Sequence, residues 1–239
     1  MRTFAIIPSG GSGMRMNNPP CLPDRQVPKQ YVRINGKEII AYTLEVFQKC
    51  ELIDEIIISA RKDYFDLLRT IKNNYSFSKI SKIVESGQER QHSVFNALKS
   101  LKADKNDLVA VHDAVRPLLS QEILKNSIEA AKNSGAAVVA MKAKDTLIQV
   151  NDTVLSYVDR QEFYYAQTPQ VFRFEILFDA MLKAEKENFI GTDESMLVHK
   201  AGYKVKIVDG SSLNFKITSQ DDIRLFELLT NTKGDLSFS

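Results

Sequence analysis

The feature that most constrains this chain is its alternation of short apolar runs with segments of helical period, sustained through residue 141. Thr3 to Pro8 reads as a buried strand stopped by a glycine-rich loop. Ile39 to Cys50 has helical spacing, with Ile40, Leu44 and Phe47 on one face. Strands then follow at Glu55 to Ala60, Lys79 to Glu85, Asp107 to His112 and Ala136 to Met141. Helices fall between them at Asp63 to Asn73, Ser93 to Leu101 and Gln121 to Asn133, the last with Ser120 as N-cap and Gly135 as C-cap. Such alternation calls for a largely parallel sheet with helices on both faces. Residues 14–37 read as irregular, because Pro19, Pro20, Pro23 and Pro28 forbid a continuous helix.

After residue 141 the pattern changes. Two β-like runs around Asn151-Asp152 give a hairpin within Lys142 to Tyr165, which would leave the main sheet as an arm. Residues 173–188 and 194–201 read as helices, Tyr203 to Val208 as a strand and Gln220 to Thr230 as a closing helix. No composition shift marks a linker. The expectation is one domain over residues 1–239 with an arm at about 142–165.

Charge narrows the partners. Lys plus Arg number 32 against 30 Asp plus Glu, a net charge of +2, without the basic excess of a nucleic-acid binder. Cys21 and Cys50 form no CxxC and make no disulfide framework. Ala136 to Met141 is far shorter than a membrane span, and the opening apolar run is short and broken by Pro8. The expectation is a cytoplasmic protein with neither nucleic acid nor membrane as partner.

Chemistry-bearing residues collect at strand ends, where open α/β sheets place their ligands. Gly10, Gly11 and Gly13, then Arg15 and Lys29, follow the first strand. Glycines let backbone amides approach phosphate, and cations add charge. The loop is neither a Walker A motif nor GxGxxG, and by itself it also fits a flexible turn. Gly87, Gln88 and Ser93 follow the third strand, suited to a base or ribose, or simply to capping a helix. Asp113 and Ala114 follow the fourth: a carboxylate placed for Mg²⁺ on a triphosphate, or one half of a local Asp113–Arg116 ion pair. His92, His112 and His199 lack metal-site spacing and read as structural, as Phe47, Phe95 and Phe178 read as core. A dinucleotide-binding oxidoreductase would want an acid at the end of the second strand, which instead ends Ser59-Ala60-Arg61.

Taken in order, the segments become specific. They are Pro8-Ser9-Gly10-Gly11-Ser12-Gly13-Met14-Arg15-Met16, Pro28-Lys29-Gln30-Tyr31, Gly36-Lys37 and Thr43 to Phe47, then Arg90 with Ser93-Val94. Val111 to Pro117, Asp145-Thr146, Gln167 to Phe172, Thr192-Asp193-Glu194 and Asn214 to Thr218 continue the series. Together they resemble the 2-C-methyl-D-erythritol 4-phosphate cytidylyltransferases from about residue 5 to about residue 225. The chain departs in having Ser9-Gly10-Gly11 where that family usually has Ala-Ala-Gly, and a longer, proline-rich interval at 17–28. Ribitol-5-phosphate cytidylyltransferases share nearly all these motifs.

The resemblance implies a Rossmann-like, glycosyltransferase-A-like nucleotidyltransferase fold with a β-hairpin dimerisation arm. It implies a homodimer joining CTP, with Mg²⁺, to 2-C-methyl-D-erythritol 4-phosphate or, in the alternative, to ribitol 5-phosphate. A non-catalytic nucleotide-binding module on the same fold is the reading from another class. By resemblance, Arg15 and Lys29 stabilise the transition state, and the backbone of Pro8, Ser9, Gly10, Gly11 and Gly13 holds the triphosphate. Gly87, Gln88 and Ser93 contact cytosine or ribose, and Asp113, beside Ala114, binds the metal. Lys216 positions the acceptor phosphate. Arg116, Thr146, Arg160, Thr168 and Thr192 complete the acceptor pocket, with Arg160 and Thr168 reaching a neighbour's site.

Overall fold

The computed structural model describes residues 1–11 and 27–231. In chain order the elements are β1 (Thr3–Pro8), β2 (Arg33–Ile34), β3 (Lys37–Glu38), α1 (Ile39–Lys49), β4 (Glu55–Ala60), α2 (Phe65–Asn74), β5 (Ile80–Glu85), α3 (Arg90–Lys99) and β6 (Leu108–Val111). They continue as α4 (Gln121–Ser134), β7 (Ala136–Lys142), β8 (Leu147–Asn151), β9 (Thr153–Val158), β10 (Tyr164–Arg173), α5 (Phe174–Lys186), α6 (Glu194–Lys200), β11 (Lys206–Asp209) and α7 (Gln220–Asn231). Seven strands form one sheet in the order β11-β7-β10-β6-β1-β4-β5. Its pairs are parallel except those of β10, which runs antiparallel to both β6 and β7.

The period of two along the strands explains why both faces are covered. Ala5, Ile7, Ile56 and Ile58 point to a cluster completed by Leu44 and Phe47 of α1, Leu68 of α2 and Leu124 of α4. Their neighbours Phe4, Ile6 and Ile57 point the other way, onto Val94 and Leu98 of α3, Leu177 and Met181 of α5 and Val198 of α6. A third cluster joins Val32, Ile34, Val115, Ile217 and the α7 residues Ile223 and Phe226. It matters for function, because it presses the chain around Lys216 against the turn after β6, where Ile217 N–H donates to the Val115 carbonyl at 2.9 Å.

The chain passes from β1 to β4 and β5 on one side, and then to β6 on the other. That reversal at β1/β6 opens a crevice beyond the carboxyl ends of the strands. The hairpin expected within 142–165 is β8 and β9, paired only with each other. Ser120 Oγ caps α4 by accepting from Ile123 N–H, and Gly135 closes it at φ +84°.

The structure differs from the sequence reading in several places. β10 occupies a stretch read only as polar residues after the arm, and it sits between β7 and β6. α3 starts at Arg90 and not Ser93, which brings Arg90 to the mouth of the crevice. β11 begins at Lys206, three residues later than the sequence suggests. Of the segment expected to be irregular, the described part holds a short 3-10 turn at Lys29–Tyr31 and the β2–β3 hairpin.

Candidate active site

The crevice is a cleft of ≈ 820 Å³, within the usual range for small-molecule sites. The end of β1 forms its floor. Ser9 N–H donates to Ser59 O at 2.7 Å, continuing the β1–β4 ladder into the loop. Gln30 Nε2 then donates to the carbonyls of Ser9 (2.8 Å) and Gly11 (3.0 Å). Both carbonyls are thereby satisfied by the side chain of Gln30, which itself lines the cleft. Ser9 Oγ donates to the Tyr31 hydroxyl at 2.9 Å, and burial raises the Tyr31 pKa to about 12, so the phenol stays protonated. Gly10 is fixed by contact: a Cβ there would lie 2.4 Å from Cβ of Ser86, so only glycine lets the two loops close.

The loop after β5 is tied equally tightly. Gly87 N–H donates to Ser93 Oγ at 3.1 Å, and Ser93 Oγ donates to Glu89 O at 3.0 Å. A Cβ on Gly87 would fall 2.3 Å from Cβ of His92. Ser93 thus shapes the Gly87 turn, while Gly87 and Gln88 face the cleft.

Asp113, buried, sits just beyond β6 and is the electrostatic centre. Its Oδ1 accepts from Arg90 Nε at 3.1 Å, and its Oδ2 lies 3.3 Å from Arg116 Nε and 3.1 Å from Lys216 Nζ. Burial alone would raise its pKa, but Arg90, Lys216 and Arg116 outweigh it and hold the carboxyl far below the ordinary range. Arg90 Nη1 also donates to both oxygens of Glu194, at 2.6 and 2.8 Å. Lys29 Nζ donates to the Ile217 carbonyl at 2.8 Å, so two lysines from distant segments meet beside the glycine loop.

Behind this centre lies a buried relay. Asp113 N–H donates to Thr168 Oγ1 at 3.2 Å, and Thr168 Oγ1 pairs with His112 Nδ1 at 2.9 Å. His112 Nε2 lies 3.1 Å from the Arg116 carbonyl, which can only accept. Nε2 therefore carries the proton, and Nδ1 accepts from Thr168. Burial lowers the His112 pKa from 6.5 to about 4. Between those values the unfolded chain binds the proton and the native one does not. Native stability therefore drops as pH is lowered through that window, by about 3 kcal/mol in all. Asp113 acts in a lower window, since its folded pKa is depressed and its contribution is lost only below the unfolded carboxyl value of 3.8. Urea midpoints from pH 7 to pH 4 test this. His112→Asn should lower the slope above pH 4, whereas the same slope in wild type and variant would contradict a neutral buried imidazole.

Pro8, Ser9, Gly10 and Gly11 thus line the cleft together with Lys29, Gly87, Gln88 and Ser93, and so do Asp113, Ala114 and Lys216. Gly13 and Arg15 lie outside the described residues. The expected acceptor residues are dispersed. Arg116 is mostly buried and donates to Asn214 O at 2.7 Å. Thr168 is buried in the relay, so within this chain its hydroxyl serves Asp113 and His112. Thr146 is exposed at the base of the arm, and Arg160 donates to Lys144 O at 2.6 Å. Thr192 is exposed one residue before the cap of α6. Gln30, Arg90 and Glu194 entered the sequence reading only inside motifs, without a role, and Arg61 only at the end of the second strand.

Among the described residues, no group of three or more His, Cys, Asp or Glu side chains gathers as a metal cage. Magnesium usually takes one or two carboxylates with substrate phosphates and water. Asp113 alone, already facing cations, fits an ion that arrives on the nucleotide rather than a resident one.

Comparison with known proteins identifies the family. The model of the 2-C-methyl-D-erythritol 4-phosphate cytidylyltransferase family matches residues 3–231. The protein of that name from Clostridioides difficile strain 630 is 42% identical over 229 residues, 95% of this chain and 92% of that one. Its counterpart from Syntrophus aciditrophicus strain SB is 40% identical over 229 residues, 95% and 94% of the two chains. The crystal structure of 4-diphosphocytidyl-2C-methyl-D-erythritol synthase from Anaerococcus prevotii DSM 20548 matches with a TM-score of 0.81 at 31% identity, over 96% of this chain and 98% of that one. That of the Francisella tularensis cytidylyltransferase gives 0.78 at 30% identity, over 95% and 99%. Motif order, sheet topology and relatives that align along nearly their whole length point the same way: the chain belongs to the 2-C-methyl-D-erythritol 4-phosphate cytidylyltransferase family.

Proposed function

We propose that this chain joins CTP to 2-C-methyl-D-erythritol 4-phosphate, releasing pyrophosphate, at the cleft between β1 and β6. The observation that carries the reading is the meeting of Lys29 with the Lys216 segment, through the 2.8 Å bond to Ile217 O, beside a glycine turn whose carbonyls Gln30 holds. An acceptor phosphate oxygen forms the new bond to the α-phosphorus, and the bond from that phosphorus to the β-phosphate bridging oxygen breaks. The attacking oxygen is already anionic, so the reaction needs charge stabilisation and alignment more than a base. The amides of Gly10 and Gly11 hold the triphosphate, with Lys29 and Arg15 offsetting charge on the α-phosphoryl group. Gly87 and Gln88 contact the nucleoside, and Lys216 aligns the acceptor phosphate. Asp113 would approach a divalent cation such as Mg²⁺ carried on the nucleotide, which would supply further neutralisation of the phosphates.

Seven strands drawn from between Thr3 and Asp209 share one sheet, which supports a single nucleotidyltransferase domain over residues 1–239. The setting we assign is the cytoplasm; no helix among the described residues is long and apolar enough to cross a membrane. We also assign a homodimer formed through the arm, where Val150, Val154, Leu155 and Tyr157 are all exposed. Arg160 lies on that arm and does not line its own cleft, which supports a role in the partner's site. Arg160→Ala and Lys216→Ala chains, each nearly inactive, should recover about a quarter of wild-type activity when mixed, since half the dimers are mixed and each holds one intact site. No recovery under demonstrated subunit exchange would contradict the shared site.

Pyrophosphate release with CTP, Mg²⁺ and each of two acceptors tests the reaction. Release with 2-C-methyl-D-erythritol 4-phosphate is expected. Release with ribitol 5-phosphate alone would move the acceptor, and CTP binding without turnover on either would leave only a nucleotide-binding module.

A further inference from the structure

The transfer described above makes no use of Glu194, yet this carboxylate is 1% exposed and spends both oxygens on one guanidinium. Its position is built from several directions. It opens α6, whose N-cap Asp193 accepts from Met196 N–H at 2.8 Å. Gln170 of β10 holds that cap: its Nε2 donates to Asp193 Oδ2 at 2.9 Å, and its Oε1 accepts from Ser195 N–H at 2.8 Å. Gln170 is in turn registered against Val111, two residues before Asp113. The same strand therefore sets both the carboxylate at the back of the site and the one at its centre.

From Glu194 the contacts run forward without a gap. Arg90 Nη1 takes Glu194, while Arg90 Nε reaches Asp113 Oδ1 at 3.1 Å, and Asp113 Oδ2 faces Lys216 Nζ at 3.1 Å. A guanidinium with one carboxylate could follow that anion; between two buried carboxylates it is shared at fixed geometry. Lys216 is 38% exposed and on a flexible stem, so its ammonium sits where Asp113 holds it. We propose that Glu194 is a positioning residue for the transfer, fixing Arg90 so that Asp113 holds the Lys216 ammonium in place for the acceptor phosphate.

This rests on the reading of Lys216 as the acceptor-binding cation, and the test separates the two. Kinetics of Glu194→Gln, Lys216→Ala and the double variant are compared at a temperature where all are folded. Gln keeps the shape and one acceptor oxygen, so the fold is expected to survive. Glu194→Gln should raise KM for the acceptor about tenfold and leave KM for CTP within about twofold. In the double variant the Glu194 change should add less than about twofold to the loss from Lys216→Ala, because its effect passes through that lysine. Glu194→Asp, which keeps the charge, should recover part of the activity. A Lys216→Ala chain as active as wild type would overturn the reading of Lys216, and the inference with it. If Lys216→Ala is impaired but the two losses multiply in full, or Glu194→Gln raises KM for CTP instead, the positioning role is wrong while the functional reading stands.

Discussion

Lys29→Ala lowers turnover by about 10²–10³-fold, the usual loss when one preorganised donor to developing charge is removed. CTP binding weakens less, because the loop amides still hold the nucleotide in its ground state. The structure makes this sharper than a general loss of charge. Lys29 Nζ is fixed at 2.8 Å on the Ile217 carbonyl, and the turn behind it carries Gln30, which holds the carbonyls of Ser9 and Gly11. Removing the ammonium leaves that scaffold in place, so the loss falls on kcat. Single-turnover kinetics at saturating CTP measure it directly. Near-normal turnover would show that Lys29 serves only to pin the segment before Ile217.

Asp113→Asn destabilises the fold by about 3–5 kcal/mol and abolishes measurable transfer. The amide fills the same space but leaves Arg90, Arg116 and Lys216, at 3.1, 3.3 and 3.1 Å, around a neutral group. Arg90 retains Glu194, so the uncompensated charge falls mainly on Arg116 and Lys216. Adding Lys216→Met should return part of the lost stability, because it removes one of the unpaired cations. Urea midpoints of the wild type and the two variants are the measurement. If Asp113→Asn unfolds at the wild-type midpoint, the carboxylate does not balance these cations in the native state.

Much of this arrangement is legible in the sequence where the determinants are local. β1, β4, β6 and β7 announce themselves as short apolar runs, and the helices by their period. The two glycine turns stand at strand ends, where the sheet's topology makes a crevice. β10 was hidden because Gln167-Thr168-Pro169-Gln170 looks like a polar break, and Pro169 lacks a ladder donor. Only its long-range antiparallel pairing with β6 and β7 makes it a strand. The same distance hides the Arg90–Glu194 contact, whose residues are 104 positions apart. Thr168 shows how one motif supports two physical roles. A threonine beside a strand end suits a ligand, but here its hydroxyl is buried between Asp113 N–H and His112 Nδ1, which sequence spacing cannot reveal.

A crystal of the chain grown with CTP and magnesium tests the central claim most directly. The triphosphate should lie on the amides of Gly10 and Gly11 with Lys29 Nζ within hydrogen-bond distance of a phosphate oxygen, and the cytosine should lie against Gly87. Nucleotide bound outside this cleft, or its phosphates turned away from Lys29 and Lys216, would contradict the account.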